Sequence, residues 1–206
     1  GAVPRFAHRL CRITGGGRDC AIPSNAGQRG YMRVIVAITG ASGAIYGIRL
    51  LQVLGGTQGI ETHLVVSSAG AMCIAYETNW KLDEVHALAD AVHDNSDIAA
   101  SIGSGSFKRG AMVVAPCSIK SLSAISNSYN DNLITRSADA TLKERKKLVL
   151  VVRETPLHLG QLRSMAALAE TGAVILPPMP AFYTRPRAIE EIVDHTVGKI
   201  LDVLDI

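Results

Sequence analysis

Short β-branched runs alternate with longer helical segments from Arg33 to the end of the chain, and this alternation constrains the fold more than any other feature. The predicted strands are Val34–Thr39, Thr62–Ser67, Met112–Ala115, Leu148–Val152 and Val174–Leu176. The predicted helices are Ala44–Leu54, Ser68–Glu77, Ser118–Ser126, Leu133–Lys143, Leu157–Thr171 and Ala188–Leu204. Because the strands are apolar almost throughout, helices must cover both faces of the sheet. The pattern therefore predicts an α/β fold with a three-layer, doubly wound parallel sheet, Rossmann-like or flavodoxin-like.

The first 31 residues differ in composition from the rest of the chain. They hold five Arg and one acid, Asp19, so residues 32–206 carry a formal charge of only −1. That balance argues against a nucleic-acid-binding surface. We expect residues 1–31 to be a disordered N-terminal extension, either a leader or an appended segment, and residues 32–206 to form a single domain.

Cysteine spacing and apolar run length bear on the compartment. The four cysteines show no CxxC pair, which favours a reducing, cytoplasmic setting. A mitochondrial location would follow if the extension were a genuine transit peptide. No apolar run approaches the roughly 20 residues that span a bilayer, so we expect no membrane span.

The turn after the first strand, TGASGAIYG, consists mostly of small residues. Such residues let the backbone approach a ligand and let helix N-terminal amides face an anion. A tight turn shaped by packing alone would need the same residues. A nicotinamide dinucleotide is disfavoured because the second strand ends in Ser67-Ser68, where that site requires Asp or Glu. The Ser67 hydroxyl suits a smaller ligand.

The third strand ends in the hydroxyl-dense segment PCSIKSLS, which predicts a second polar cradle. Taken alone, Ser118 is better explained as a helix N-cap. Cys117 has no partner histidine nearby in sequence, so we expect a buried small side chain rather than a nucleophile.

Two further loops carry candidate functional groups. Arg153-Glu154 follows the fourth strand, where the pair could orient a ligand and move a proton, or could form an exposed ion pair at a helix start. The segment PPMPAFY follows the fifth strand. We expect Phe182 to pack in the core and the Tyr183 hydroxyl to serve a ligand.

Taken in order, several segments resemble the UbiX family of flavin prenyltransferases: TGASGAIYG, THLVVS, YET, SGSF, PCSIKSLS, TRSAD, LKERKKLVLVVRETPLHLGQL and GAVILPPMPAFY. The resemblance covers essentially all of Met32–Ile206. It implies a flavoprotein that transfers a dimethylallyl group from dimethylallyl monophosphate to N5 and C6 of reduced FMN. The product, prenylated FMN, would serve a UbiD-type decarboxylase in ubiquinone biosynthesis or aromatic acid decarboxylation. The resemblance also implies a closed homo-oligomer, often a dodecamer, with pockets assembled from several protomers.

The resemblance assigns roles to individual residues by motif. FMN contacts are expected from Gly40, Ala41, Ser42, Ser67, Ser118, Ile119, Lys120, Ser121 and Arg153. The donor phosphate is expected at Lys143, Arg153, Tyr183 and Lys199. Glu154, Glu77 or the released phosphate could remove the C6 proton, and we assign proton handling to Glu154. We expect Ser42 and Glu77 to have a positioning role near N5 and Arg136 to support the flavin edge. Lys199 stands where many members have Arg, which keeps the charge but loses bidentate geometry.

Two other functions stay open from the sequence. An FMN-dependent cysteine decarboxylase shares the predicted fold, and a non-catalytic FMN carrier would need only the flavin-binding loops. We expect no metal site, because the chain has no DDxxD cluster and its histidines form no close set.

Overall fold

The computed structural model describes residues 31–206; residues 1–30, which hold nearly all of the predicted extension, lie outside the described part. Six strands form one parallel sheet in the order β3-β2-β1-β4-β5-β6. The strands are β1 Met32–Ile38, β2 Ile60–Val66, β3 Ala91–Asp94, β4 Ala111–Cys117, β5 Lys147–Val152 and β6 Val174–Ile175. This is the Rossmann order, and without the short β3 it becomes the flavodoxin order. The predicted doubly wound α/β class is confirmed.

Helices cover both faces of the sheet. They are α1 Ala44–Gly55, α2 Ser68–Glu77, α3 Leu82–His86, α4 Ile119–Ser126, α5 Leu133–Lys143, α6 Leu159–Glu170 and α7 Ile189–Leu204. Val34, Val36 and Ile38 of β1 face the core that includes residues of α1 and α7. Ile35 and Ala37 face the opposite core, which includes residues of α4, α5 and α6. Alternation along one fully buried strand thus produces the three layers.

The sequence pattern missed α3 and β3. β3 is an edge strand whose residues alternate between half-buried and exposed, so it lacks the apolar run that identified the other strands. Asp90, just before β3, accepts hydrogen bonds from the Thr62 amide at 2.7 Å and the Thr62 hydroxyl at 2.8 Å. Side-chain hydrogen bonds therefore help to fasten this edge of the sheet to β2.

The segment after β6 corrects one expectation. β6 has only two residues, and the chain then forms a short 3₁₀ helix, Phe182–Thr184, outside both cores. The Phe182 side chain is 73% exposed, so the prediction that it packs in the core is wrong. Within residues 31–206, no helix has both the length and the apolar character needed to cross a membrane.

Candidate active site

The carboxyl ends of β1 and β4 are joined by a buried threonine. Thr39 is 1% exposed, and its hydroxyl donates to the Pro116 carbonyl at 2.7 Å. The same oxygen accepts from the Ser118 amide at 2.8 Å. β1 and β4 are the neighbours at which the strand order reverses, which is where doubly wound sheets bind ligands. Thr39 therefore holds together the two loops that flank the switch point, a role that the sequence did not reveal.

A cleft of about 530 Å³ opens at this edge, and we call it the serine cleft. It is lined mainly by small, hydroxyl and amide side chains: Gly40, Ser67, Ser68, Ala69, Asn95, Ser118, Ile119, Lys120, Ser121, Asn132, Ile134 and Glu154. Six of the nine expected FMN contacts lie here together with Glu154. Asn95 and Asn132 were not predicted, because isolated asparagines in loops have no distinctive sequence pattern.

A second cleft of about 340 Å³ lies on the other side of the β1–α1 loop, and we call it the arginine cleft. It is lined by Ser42, Gly43, Ile45, Tyr46, Glu77, Thr78, Arg153, Pro178, Ile189 and Val193. Arg153 thus lines one cleft while its neighbour Glu154 lines the other, and the two do not pair with each other. Ala41 lies in the loop between the clefts, where its amide donates to the Thr39 carbonyl at 2.9 Å.

The N-terminus of α1 is occupied by a carboxylate of the chain itself. Glu77 Oε2 accepts from the Gly43 amide at 2.7 Å and from the Ala44 amide at 3.3 Å. The amides that we expected to face a ligand anion are therefore satisfied by Glu77, which stabilises the positive end of the helix dipole. Gly43 has a φ of 105°, a conformation that favours glycine.

Close packing explains two other glycines of the TGASGAIYG segment, Gly40 in the loop and Gly47 in α1. A Cβ on Gly47 would lie 2.3 Å from the Ala115 carbonyl oxygen, and one on Gly40 would lie 2.3 Å from the Ala69 Cβ. The packing explanation considered for the small residues thus holds for these positions.

The serines at the strand ends are helix caps that border the serine cleft. The Ser67 hydroxyl accepts from the Gly70 amide at 3.0 Å, and the Ser118 hydroxyl accepts from the Ser121 amide at 3.3 Å. Each hydroxyl oxygen keeps a proton or a lone pair for a further partner. Ser118 already uses its proton towards the Ser121 hydroxyl at 3.2 Å. Capping and ligand binding are therefore compatible at these positions.

Burial gives Cys117 the inert character expected from the sequence. It is fully buried, and burial raises the pKa of its thiol to about 12. A thiol with that pKa is protonated at neutral pH and is a poor nucleophile.

The remaining expected site residues lie outside both clefts. α5 begins beside Asn95 at the carboxyl edge of the sheet, where the Leu133 amide donates to the Asn95 carbonyl at 2.9 Å. Lys143 ends this helix, just before β5 starts, and so lies at the opposite edge of the sheet. Arg136 is exposed one turn after Asn132 and lines neither cleft.

Tyr183 and Lys199 come together on another face. The Tyr183 hydroxyl lies 3.0 Å from Nε2 of His195, which precedes Lys199 by one turn of α7. Val193 lines the arginine cleft, and a residue two positions further along a helix is rotated by about 200°. His195 and Lys199 therefore face away from that cleft. The expected phosphate ligands occupy three separate places in one protomer: Arg153, Lys143, and the pair Tyr183 and Lys199.

Comparison with known proteins gives the family. The flavoprotein family model matches residues 23–206. Flavin prenyltransferase UbiX of Escherichia coli K12 is 60% identical over 170 residues, which is 82% of this chain and 90% of that protein. The crystal structure of AnUbiX (PadA1) in complex with FMN and dimethylallyl pyrophosphate is 48% identical and covers 85% of this chain and 93% of that one, with a TM-score of 0.84.

Two other solved structures bear on assembly and on the alternative function. A dodecameric FMN-dependent UbiX-like decarboxylase from Escherichia coli O157:H7 is 46% identical, with a TM-score of 0.84, over 85% of this chain and 95% of that one. The peptidyl-cysteine decarboxylase EpiD is only 15% identical, with a TM-score of 0.59, over 79% of this chain and 98% of that one. The second likeness shows the fold alone. From the identity, the coverage and the shared architecture, this chain belongs to the UbiX family of flavin prenyltransferases.

Proposed function

We propose that this chain transfers a dimethylallyl group from its phosphate ester to reduced FMN, which lies along the serine cleft with its reacting edge towards the β1–α1 loop. The observation that carries the proposal is the placement of adjacent residues in two clefts on either side of that loop. Glu154 faces the hydroxyl-lined side, and Arg153 faces the side that holds Ser42 and Glu77. Membership in the family supplies the reaction class.

The serine cleft suits a flavin in size and chemistry. Its volume of about 530 Å³ falls within the range of small-molecule sites. Its hydroxyls, amides and helix N-termini can satisfy the polar edges of the ring and the ribityl chain. Ile119 and Ile134 supply apolar surface for the ring. Six of the nine residues expected to contact FMN line this cleft, which supports that part of the proposal. We propose that Ala41, Ser42 and Arg153 contact the flavin from the β1–α1 loop and from the arginine cleft.

The reaction leads to different roles for the two carboxylates. The allylic C–O bond breaks, phosphate departs with its electron pair, and N5 of the flavin gains the carbon while losing a proton. Ring closure then adds a proton to the alkene and removes one from C6, so a group that both gives and accepts a proton is required. Glu154 is exposed, and its one hydrogen-bond partner among residues 31–206 is the neighbouring Thr155 amide at 2.9 Å. We assign this proton transfer to Glu154.

Glu77 is suited to positioning. Two backbone amides hold its carboxylate as an acceptor, which fixes it beside Ser42 at the start of α1. A carboxylate held in this way has a fixed orientation and can orient the groups beside it. We therefore place Glu77 and Ser42 near N5, with Arg153 orienting the flavin and the donor.

The phosphate of the donor needs more cationic groups than one protomer offers at the clefts. Developing charge on a departing phosphate is stabilised by cationic and hydroxyl donors. Lys143, Tyr183 and Lys199 lie elsewhere on the protomer surface, so we propose that a closed homo-oligomer, such as the dodecamer of the relative, brings them to a neighbour's clefts. Arg136 would support the flavin edge in the same assembly.

The product and the compartment complete the proposal. Prenylated FMN is proposed to pass to a UbiD-type decarboxylase, in ubiquinone biosynthesis or in aromatic acid decarboxylation. We propose a cytoplasmic location, or a mitochondrial one if the N-terminal extension is a transit peptide.

The decisive experiment is anaerobic incubation of the protein with reduced FMN and dimethylallyl monophosphate or diphosphate, without added magnesium, followed by mass analysis of the extracted flavin. We expect a gain of one C5H8 unit. Glu154→Gln should bind FMN normally but form product about 100-fold more slowly. An unmodified flavin from correctly assembled protein would contradict the proposal. Carbon dioxide release from a cysteinyl peptide would instead favour the decarboxylase.

A further inference from the structure

Tyr183 has one hydrogen-bond partner within the described residues, and that partner is His195. The hydroxyl lies 3.0 Å from Nε2 of the imidazole, and the two rings meet edge to face with centroids 5.8 Å apart at 84°. The Tyr183 side chain is otherwise 80% exposed, on a short 3₁₀ helix outside both cores. Packing alone therefore does little to hold the phenol in one orientation.

A charged pair follows His195 on α7. Lys199 follows it by one turn on α7, and Lys199 Nζ bonds Asp202 at 3.0 Å. That hydrogen bond, helped by the negative charge of Asp202, raises the pKa of Lys199, so its ammonium stays charged. Residues four apart on a helix lie on one face. The imidazole therefore lies where it can orient the Tyr183 hydroxyl, and the charged ammonium of Lys199 lies on the same face of α7.

We propose that His195 is a positioning residue for Tyr183, and that it holds the phenol so that its O–H points to the phosphate of the prenyl donor. This inference rests on the proposed function, because it requires Tyr183 and Lys199 to bind that phosphate. When Nε2 carries the proton, the imidazole donates to the phenol oxygen, and the Tyr183 proton is free for a phosphate oxygen. A phenol that accepts one hydrogen bond is also a better donor for the next.

The proposal makes His195 act through Tyr183 and not on the phosphate directly. His195→Ala should raise KM for the prenyl donor about five- to tenfold, the effect of one lost hydrogen bond, with little change in kcat at saturating donor. His195→Gln should restore KM to within about twofold of wild type, because its amide nitrogen reaches the place of Nε2. In a Tyr183→Phe background, His195→Ala should have no further effect.

The control lies on the same helix. A Cβ on Gly198 meets nothing within 4 Å, so Gly198→Ala tests whether any change in this part of α7 alters KM. Thermal unfolding of each variant separates lost positioning from lost folding. If His195→Ala unfolds, His195→Gln and His195→Asn take its place in the test. The KM values of these two variants are then compared with Tyr183 present and in the Tyr183→Phe background.

The outcomes separate this inference from the proposed function. Wild-type protein that makes no prenylated flavin contradicts the proposed function itself. Active wild type with an unchanged KM in His195→Ala contradicts the positioning role. An equal rise in KM with and without the Tyr183 hydroxyl also contradicts it, because His195 would then act independently of Tyr183.

Discussion

Replacement of Thr39 by valine tests how the two loops at the switch point are held together. Valine has nearly the shape of threonine, so the buried site stays filled while the hydroxyl is lost. The Pro116 carbonyl keeps the Thr39 amide at 3.3 Å as a partner. The Ser118 amide, which donates to the Thr39 hydroxyl at 2.8 Å, loses its acceptor. The variant therefore leaves one orphaned amide at the edge of the serine cleft.

The expected cost follows from that orphaned amide. An unsatisfied buried donor lowers the free energy of unfolding by about 1–3 kcal/mol. For a protein of this size each kcal/mol lowers Tm by about 2–4 °C, so we expect a drop of about 4–8 °C for a loss near 2 kcal/mol. FMN affinity should fall as well, because the loops that carry Gly40 and Ser118 lose both hydrogen bonds of the Thr39 hydroxyl and keep only the one from the Thr39 amide.

The assay is thermal unfolding at one protein concentration, with FMN titrations on the same samples. Thr57→Val is the matched control, since Thr57 lies just after α1 and its hydroxyl donates to the Val53 carbonyl of that helix at 2.8 Å. That change leaves no amide unpaired and should cost less than about 1 kcal/mol. Equal Tm values for the two variants, with equal FMN affinity, would refute the reasoning.

Three further predictions concern assembly, pH and helix stability. Coexpressed Lys143→Ala and Glu154→Gln subunits should recover part of the activity that each variant lacks alone, because a pocket built from several chains can combine an intact Lys143 with an intact Glu154. A mixed oligomer as inactive as the two single variants would contradict a shared site. Hydrogen bonds from the Thr62 amide, and to a lesser extent from the Thr62 hydroxyl, hold the pKa of Asp90 below its usual range. The ionised Asp90 therefore stabilises the folded protein fully above about pH 4, the pKa in the unfolded chain, and this contribution is lost as pH falls through the lower pKa of the folded protein. The Tm difference between wild type and Asp90→Asn should therefore be larger at pH 7 than at pH 3, and equal differences would argue against this linkage. Gly198→Ala should stabilise the protein by about 0.5–1 kcal/mol in chemical denaturation, and a loss of stability would show a close neighbour at that position.

Local pattern was sufficient for the strongly apolar elements. Five of the six strands and most helix bounds were predicted to within about three residues, as for α2 and α5, because burial on both faces leaves continuous apolar runs. β3 and α3 were missed because they are short and half-exposed. Phe182 was misplaced because its aromatic character suggested burial, whereas the chain at that point has already left the sheet.

The sequence by itself determined the fold class, the order of the loops that carry functional groups, and the family. These properties depend on local periodicity and on motifs of a few residues, which neighbours along the chain encode. Only the tertiary structure revealed the hydrogen bonds by which Thr39 joins the two loops at the switch point and the capping of α1 by Glu77. It also revealed the hydrogen bond between His195 and Tyr183 and the separation of Lys143 from the clefts. The three sets of hydrogen bonds join residues that are 12 to 79 positions apart in the chain. The position of Lys143 depends on the edge of the sheet at which α5 ends. Strand order decides which loops meet at the switch point and which edge of the sheet Lys143 reaches, and strand order is a property of the whole packed sheet.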